Sequence, residues 1–281
     1  MNWASGSRRP LAPTAETSYR LTSKGGAESA AEIGMSDWSR QLFSYCERAL
    51  DPSFWAEPLN AATNAAFLLA AAVGFVKWLR APGPRRRVDL VLILIVVVIG
   101  IGSFLFHTFA TRWAVLADVI PITLFMLGYL LYTCRKFMSW NWLASLVMLG
   151  LFAVALTQFE YAVRCNGGPC FNGSLGYVPA LLVLLGFGGI LLTSRHPAGM
   201  SLLAAGFVFA VSLAFRTVDR EICELTDIFG TGPLGTHFIW HTLNALVLYL
   251  LLSAAIRHGD FSALVRRGTF AGSAGRPDNV V

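Results

Sequence analysis

Residues 88–109 read VDLVLILIVVVIGIGSFLFHTF, an almost unbroken apolar run that turns polar only at Asp89 near its start and at Ser103, His107 and Thr108 near its end. As a helix rising 1.5 Å per residue it reaches about 33 Å, enough to cross the ~30 Å hydrocarbon core of a bilayer. Six further stretches share its character: Leu59–Lys77, Trp113–Cys134, Trp142–Gln158, Tyr177–Leu192, Met200–Phe215 and His237–Ile256. The 281-residue chain is 55% hydrophobic and only 14% charged, with a mean hydropathy of +0.59. A soluble protein built from such runs has almost no polar surface left for water. The expected fold is therefore an all-α membrane protein, a seven-transmembrane helix bundle.

The net charge of +6 invites a nucleic-acid partner, but the placement of the charges excludes one. Lys77, Arg80 and Arg85–Arg87 follow the first span, Arg135 and Lys136 the third, Arg195 the fifth, and Arg257, Arg266, Arg267 and Arg276 the seventh. Every second loop is basic, which marks those loops as cytoplasmic and puts the N-terminus outside and the C-terminus inside. The alternate loops carry Glu47, Asp51, Glu57, Glu160, Asp219, Glu221, Glu224 and Asp227. This divides the chain into a disordered polar tail (1–43), a seven-helix domain (44–258) and a cytoplasmic C-terminal tail (259–281). The first 34 residues hold no apolar core of a signal peptide, and Met35 is the expected initiator. Cys46, Cys165, Cys170 and Cys223 fall on the outer side, where an oxidising compartment allows two disulfides, while Cys134 falls at the inner face. A bridge between Cys165 and Cys170 closes a local loop and leaves Cys46 for Cys223, although spacing alone does not fix the pairing.

Ionisable side chains at membrane depth are costly and mark functional sites. With this topology, Ser103 and His107 lie near the outer end of the second span, and Asp118 about one turn below the outer surface of the third. His237 and His241 open the seventh. Residues four apart share a helix face, so His237 and His241 can hold one ion together. Three imidazoles with an open fourth position form a catalytic zinc arrangement. Asp118 then serves as the proton acceptor and Ser103 as a donor to a developing oxyanion. Each signal alone has a bland explanation: HxxxH pairs occur in helices without metal, Asp118 can cap a helix, and Ser103 can bond back to its own helix. The weight lies in the coincidence of side and depth. His196 and His258 fall on the inner side.

These residues resemble the alkaline ceramidases. Gly102–His107 (GSFLFH), Asp118 eleven residues on, and His237–His241 (HFIWH) are similar to that family's three blocks, and the pattern is shared with the wider group of seven-helix hydrolases that includes the adiponectin receptors. Tyr45-Cys46-Glu47 with Phe54–Asn60 (FWAEPLN), and Phe215–Asp219 continuing to Cys223, resemble the ceramidases in particular. The resemblance implies zinc on His107, His237 and His241, catalytic Ser103 and Asp118, and a Cys46–Cys223 disulfide. It also implies an amidase that cleaves ceramide, or a related N-acyl lipid, to a sphingoid base and a fatty acid. A calcium site on Glu47, Asp51 and Glu57 is implied too, although Ser44 and Ala49 stand where the family has Asp and Asn. The expected partner is a membrane lipid substrate, with no protein partner evident, in a plasma (inner) membrane with the active site near its outer face. The competing readings are an esterase or phospholipase on the same zinc centre, a haem-binding electron carrier, and a receptor or retinal protein. Two histidines on one helix face suit a small ion better than haem, and the last span has no Lys for a retinal Schiff base.

Overall fold

Helices begin and end in this chain where polar groups or prolines satisfy or stop them. The computed structural model describes residues 37–82, 85–162, 164–165, 168–227, 230 and 232–260. Met35, the polar tail before residue 37 and the segment beyond residue 260 lie outside the described residues, as do the side chains of Cys165 and Cys170. The first span is made of α1 (Pro58–Thr63) and α2 (Ala65–Arg80). Pro58 occupies the first turn of α1, where its missing N–H costs nothing, and the Glu47 carboxylate accepts the Leu59 and Asn60 N–H groups at 2.7 and 2.8 Å. Thr63 and Asn64 bond back to carbonyls of α1 at the break between the two helices. Pro82 follows the end of α2 by two residues, as expected for a residue that a helix does not run into.

The other spans are α3 (Arg87–Phe109), α4 (Arg112–Tyr132), α5 (Trp142–Ala162), α6 (Val178–Thr193), α7 (Ala198–Val218) and α8 (His237–His258). The chain leaves α3 through Ala110 in the left-handed region, and α4 passes into a π-helical turn at Thr133–Phe137. Among the described residues the only strands are the two-residue pair Arg164–Cys165 and Gly168–Pro169. Seven helical segments are long and apolar enough to cross a membrane, one for each expected span. Their ends run past the apolar stretches, for example from Gln158 to Ala162 and from Phe215 to Val218, because backbone hydrogen bonding continues where hydropathy stops.

α3 packs on α4 and α7 on α8, while α2 lies against both α3 and α8. Val96, Leu191, Leu202, Leu252 and Ala255 form part of a continuous buried core. Val91, Leu94, Val98 and Ile101 of α3, and Leu143, Leu146 and Leu151 of α5, point outward and are exposed. A helix apolar on its outer as well as its inner face is built to meet lipid. Gly102 fixes the closest approach, since a Cβ there would lie 1.9 Å from the Ala117 carbonyl oxygen. Small residues let membrane helices touch backbone to backbone, and this contact brings Ser103 beside Asp118.

Candidate metal centre

His107 sits in the last turn of α3, and His237 and His241 in the first two turns of α8. All three are buried, 1% exposed, and one ring nitrogen from each lies within 4.8 Å of the others. Arg87, at the far end of α3, is about 30 Å away along the helix axis. The site therefore occupies one end of the bundle and the basic residues flanking α2 and α3 the other.

Hydrogen bonds set the tautomers of two rings. His107 Nδ1 lies 2.6 Å from Glu57 Oε2. Burial pushes the Glu57 carboxyl up, but the His107 hydrogen bond and the Arg48 ion pair outweigh it and hold the group below its ordinary range. The carboxylate accepts, so His107 donates from Nδ1 and keeps a lone pair on Nε2, which is buried without a partner. Thr63 Oγ1 donates to a carbonyl of α1 and thus accepts from His241 Nδ1 at 3.0 Å, leaving His241 Nε2 for a ligand. His237 Nδ1 is likewise buried without a partner. An unsatisfied buried polar atom costs about 1–3 kcal/mol. Three imidazoles that bring one ring nitrogen each into a single buried cluster fit a divalent ion such as zinc, with a carboxylate behind one ligand to orient it.

His237 is held from three sides. Tyr45 stacks on its ring with centroids 3.7 Å apart, and burial pushes the Tyr45 phenol up to about 12, so it stays neutral. The buried Asp219 carboxylate, at the end of α7, accepts N–H groups from Thr236 and His237 at 2.7 and 2.9 Å and from Cys46 at 3.1 Å. It thereby caps α8 from a neighbouring helix. A disulfide joins Cys46 to Cys223 at the same junction, as the resemblance implied. Cys134 is free and buried.

Asp118 lies in the second turn of α4, beyond the capping position held by Thr111, and its Oδ1 is buried without a hydrogen-bond partner. Asp118 and Ser103 open on a cavity of about 870 Å³ that also reaches His237, His241 and Arg216. The Arg216 guanidinium lies 5.3 Å from the Tyr177 and Trp240 ring centres and donates to the Tyr45 hydroxyl at 2.9 Å.

The three acids assigned to calcium do not form a donor set. Among the described residues the histidine trio is the one His, Cys, Asp or Glu group close enough to hold an ion. Glu47 caps α1, and burial holds its carboxyl above the ordinary range despite those two N–H bonds. Asp51 caps its own turn through the Ser53 N–H and hydroxyl, which hold it below the ordinary range. Glu57 Oε1 is taken by Arg48 at 2.6 Å, and its Oε2 by His107 and Asn60. A calcium ion needs six to eight oxygens, so these residues do not fit it. The roles of Arg48, Thr63, Tyr45, Asp219 and Arg216 had no assignment from sequence. The one hint was that Tyr45, Arg216 and Asp219 lie in the stretches that carry the family resemblance.

Fold and site together define a class: a polytopic helical membrane protein with a candidate metal centre buried at one end of its bundle. The ceramidase family model matches residues 43–259, and the chain belongs to that family. It is accordingly an amide hydrolase, in a family whose reaction is the hydrolysis of ceramide. No curated protein matches the chain.

Proposed function

We propose that this protein is a zinc-dependent intramembrane amidase that hydrolyses ceramide or a related N-acyl lipid, with its site near the outer face of a plasma (inner) membrane. The observation that carries the reading is the convergence of His237, His241, Asp118 and Ser103 on one large, mainly apolar cavity, with His107 clustered against the two histidines. The alternation of basic loops supports the orientation, N-terminus outside and C-terminus cytoplasmic.

A zinc ion held by His107, His237 and His241 supplies Lewis-acid charge that polarises the amide carbonyl and favours ionisation of water. The residues of the chain do the rest. Asp118 takes the proton from the attacking water and returns it to the amide nitrogen as the C–N bond breaks. Ser103 donates a hydrogen bond to the oxygen that gains charge. Glu57 and Thr63 hold two of the ligand rings in register. Ile122, Phe125, Met126, Leu184, Phe187 and Leu251 line the cavity and give an acyl chain an apolar wall in place of bilayer. The products are a fatty acid and a lipid amine.

The test is metal analysis of purified protein together with product analysis on ceramide, for wild type and His241→Ala. Bound zinc and release of both products by wild type, with both lost in the folded variant, are expected. Full activity in His241→Ala, or release of fatty acid from ester lipids alone, ends the proposal.

A further inference from the structure

The largest fully buried side chain in the described protein is a cation. Arg48 is 1% exposed, and all five of its N–H groups meet oxygen. Nε donates to Glu57 Oε1 at 2.6 Å, Nη1 to the carbonyls of Asp51 and Ser53 at 3.2 and 2.9 Å, and Nη2 to those of His107 and Thr108 at 2.9 and 3.1 Å. One carboxylate and four main-chain carbonyls around a single positive centre make a donor set of the kind that binds calcium: all oxygen and rich in carbonyls. Here the centre is a covalently attached guanidinium. Its planar fork uses directional hydrogen bonds where a metal ion would use coordination.

The cage is joined to the metal centre twice. Glu57 gives one oxygen to Arg48 and the other to His107 Nδ1, while Arg48 grips the His107 carbonyl directly. The same guanidinium thus braces a ligand residue at both its ring and its backbone. It also joins the loop at Asp51–Ser53 to the end of α3.

We infer that Arg48 is a built-in cation that replaces an exchangeable divalent ion in this oxygen cage and acts, through Glu57, as a positioning residue for His107. The part concerning catalysis rests on the amidase reading; the occupancy of the cage does not. The hydrolase then works without calcium, because the position is filled by the chain itself.

The experiment uses full-length, zinc-replete protein in detergent, titrated from calcium-free buffer to millimolar calcium. Bound calcium and thermal melting are read beside ceramide hydrolysis. Ligands that bind only the folded state raise its melting temperature, so the expected result is no bound calcium, an unmoved melting curve and unchanged turnover. One calcium per chain, or melting that rises with calcium, overturns the inference even if ceramide proves not to be the substrate. Zinc affinity of folded Arg48→Gln and Arg48→Lys supplies the second reading. Arg48→Gln is expected to bind zinc about 10–100-fold more weakly, the usual effect of losing a partner behind a ligand, with part of that recovered in Arg48→Lys. Wild-type zinc affinity in Arg48→Gln overturns the positioning role, and the calcium titration requires no variant to fold.

Discussion

Among the described residues, Arg48 and Arg86 each pair with a buried acid and grip a helix C-terminus, at opposite ends of the bundle. Arg48 holds the His107 and Thr108 carbonyls of α3, and Arg86 holds the Ala255 and Ile256 carbonyls of α8 at 2.6 and 3.0 Å. The acid is Glu57 in one case and Asp89 in the other. The difference lies in what the acid does next. Glu57 passes its second oxygen to a candidate metal ligand. At the other end Arg86 also pairs with the half-exposed Asp260, while Tyr132 bonds to the Ala255 carbonyl that Arg86 holds. The same local chemistry, a cation on exposed helix carbonyls, thus braces a candidate metal ligand at one end and serves attachment at the other. What separates the two is the imidazole beside one of the acids.

This contrast can be broken by mutation. The largest effect is expected at Asp118→Asn, which removes the proposed proton acceptor and lowers turnover about 10²–10⁴-fold with metal content and melting retained. Wild-type turnover would remove Asp118 from the chemistry. Glu57→Gln is next, with zinc affinity, read by competition with a chromophoric chelator, lowered about 10–100-fold. At the opposite end Asp89→Asn leaves Arg86 with a weaker partner and is expected to cost about 3 kcal/mol of stability, read by thermal or denaturant melting. Activity per folded molecule should hold. A loss of turnover as deep as that of Asp118→Asn would erase the distinction between the two ends.

The smallest effect is one of pH. The folded carboxyl of Glu57 is held below its ordinary value of 4.5, so the stability it contributes is present above that pH and lost as pH falls through the depressed value. The folded carboxyl of Glu47 is raised from the same value, so its contribution has the opposite sign and is lost as pH rises through the raised value. Melting measured against pH should fall on acidification below 4.5, and the fall should be shallower in Glu57→Gln.

The spans were legible because each announces itself: a run such as residues 88–109 is apolar whatever it packs against. The histidines and Asp118 were legible for the opposite reason, as polar groups where hydrocarbon belongs. Their supports were hidden because each is an ordinary residue until a distant one arrives. Thr63 meets His241 across 178 positions, and Cys46 meets Asp219 across 173. Glu57 shows the limit most clearly. Its charge and its place beside Glu47 and Asp51 suit an ion site. Nothing in that segment tells that the nearby Arg48 folds inward to take the carboxylate, or that His107 takes its other oxygen. Arg48 reads locally as one more loop charge, and only the carbonyls of α3 turn it into an interior one.

The split of the donor set between α3 and α8 has a consequence for biosynthesis. His107 enters the membrane with the second span, but its two companions arrive only with the seventh, and the Cys46 thiol waits for Cys223 until shortly before. A growing chain therefore carries an incomplete set of ligands through most of its insertion. On the proposed mechanism, competence for hydrolysis arises only once the seventh span has been made, and a copy stalled before it is expected to be inert toward the bilayer that holds it.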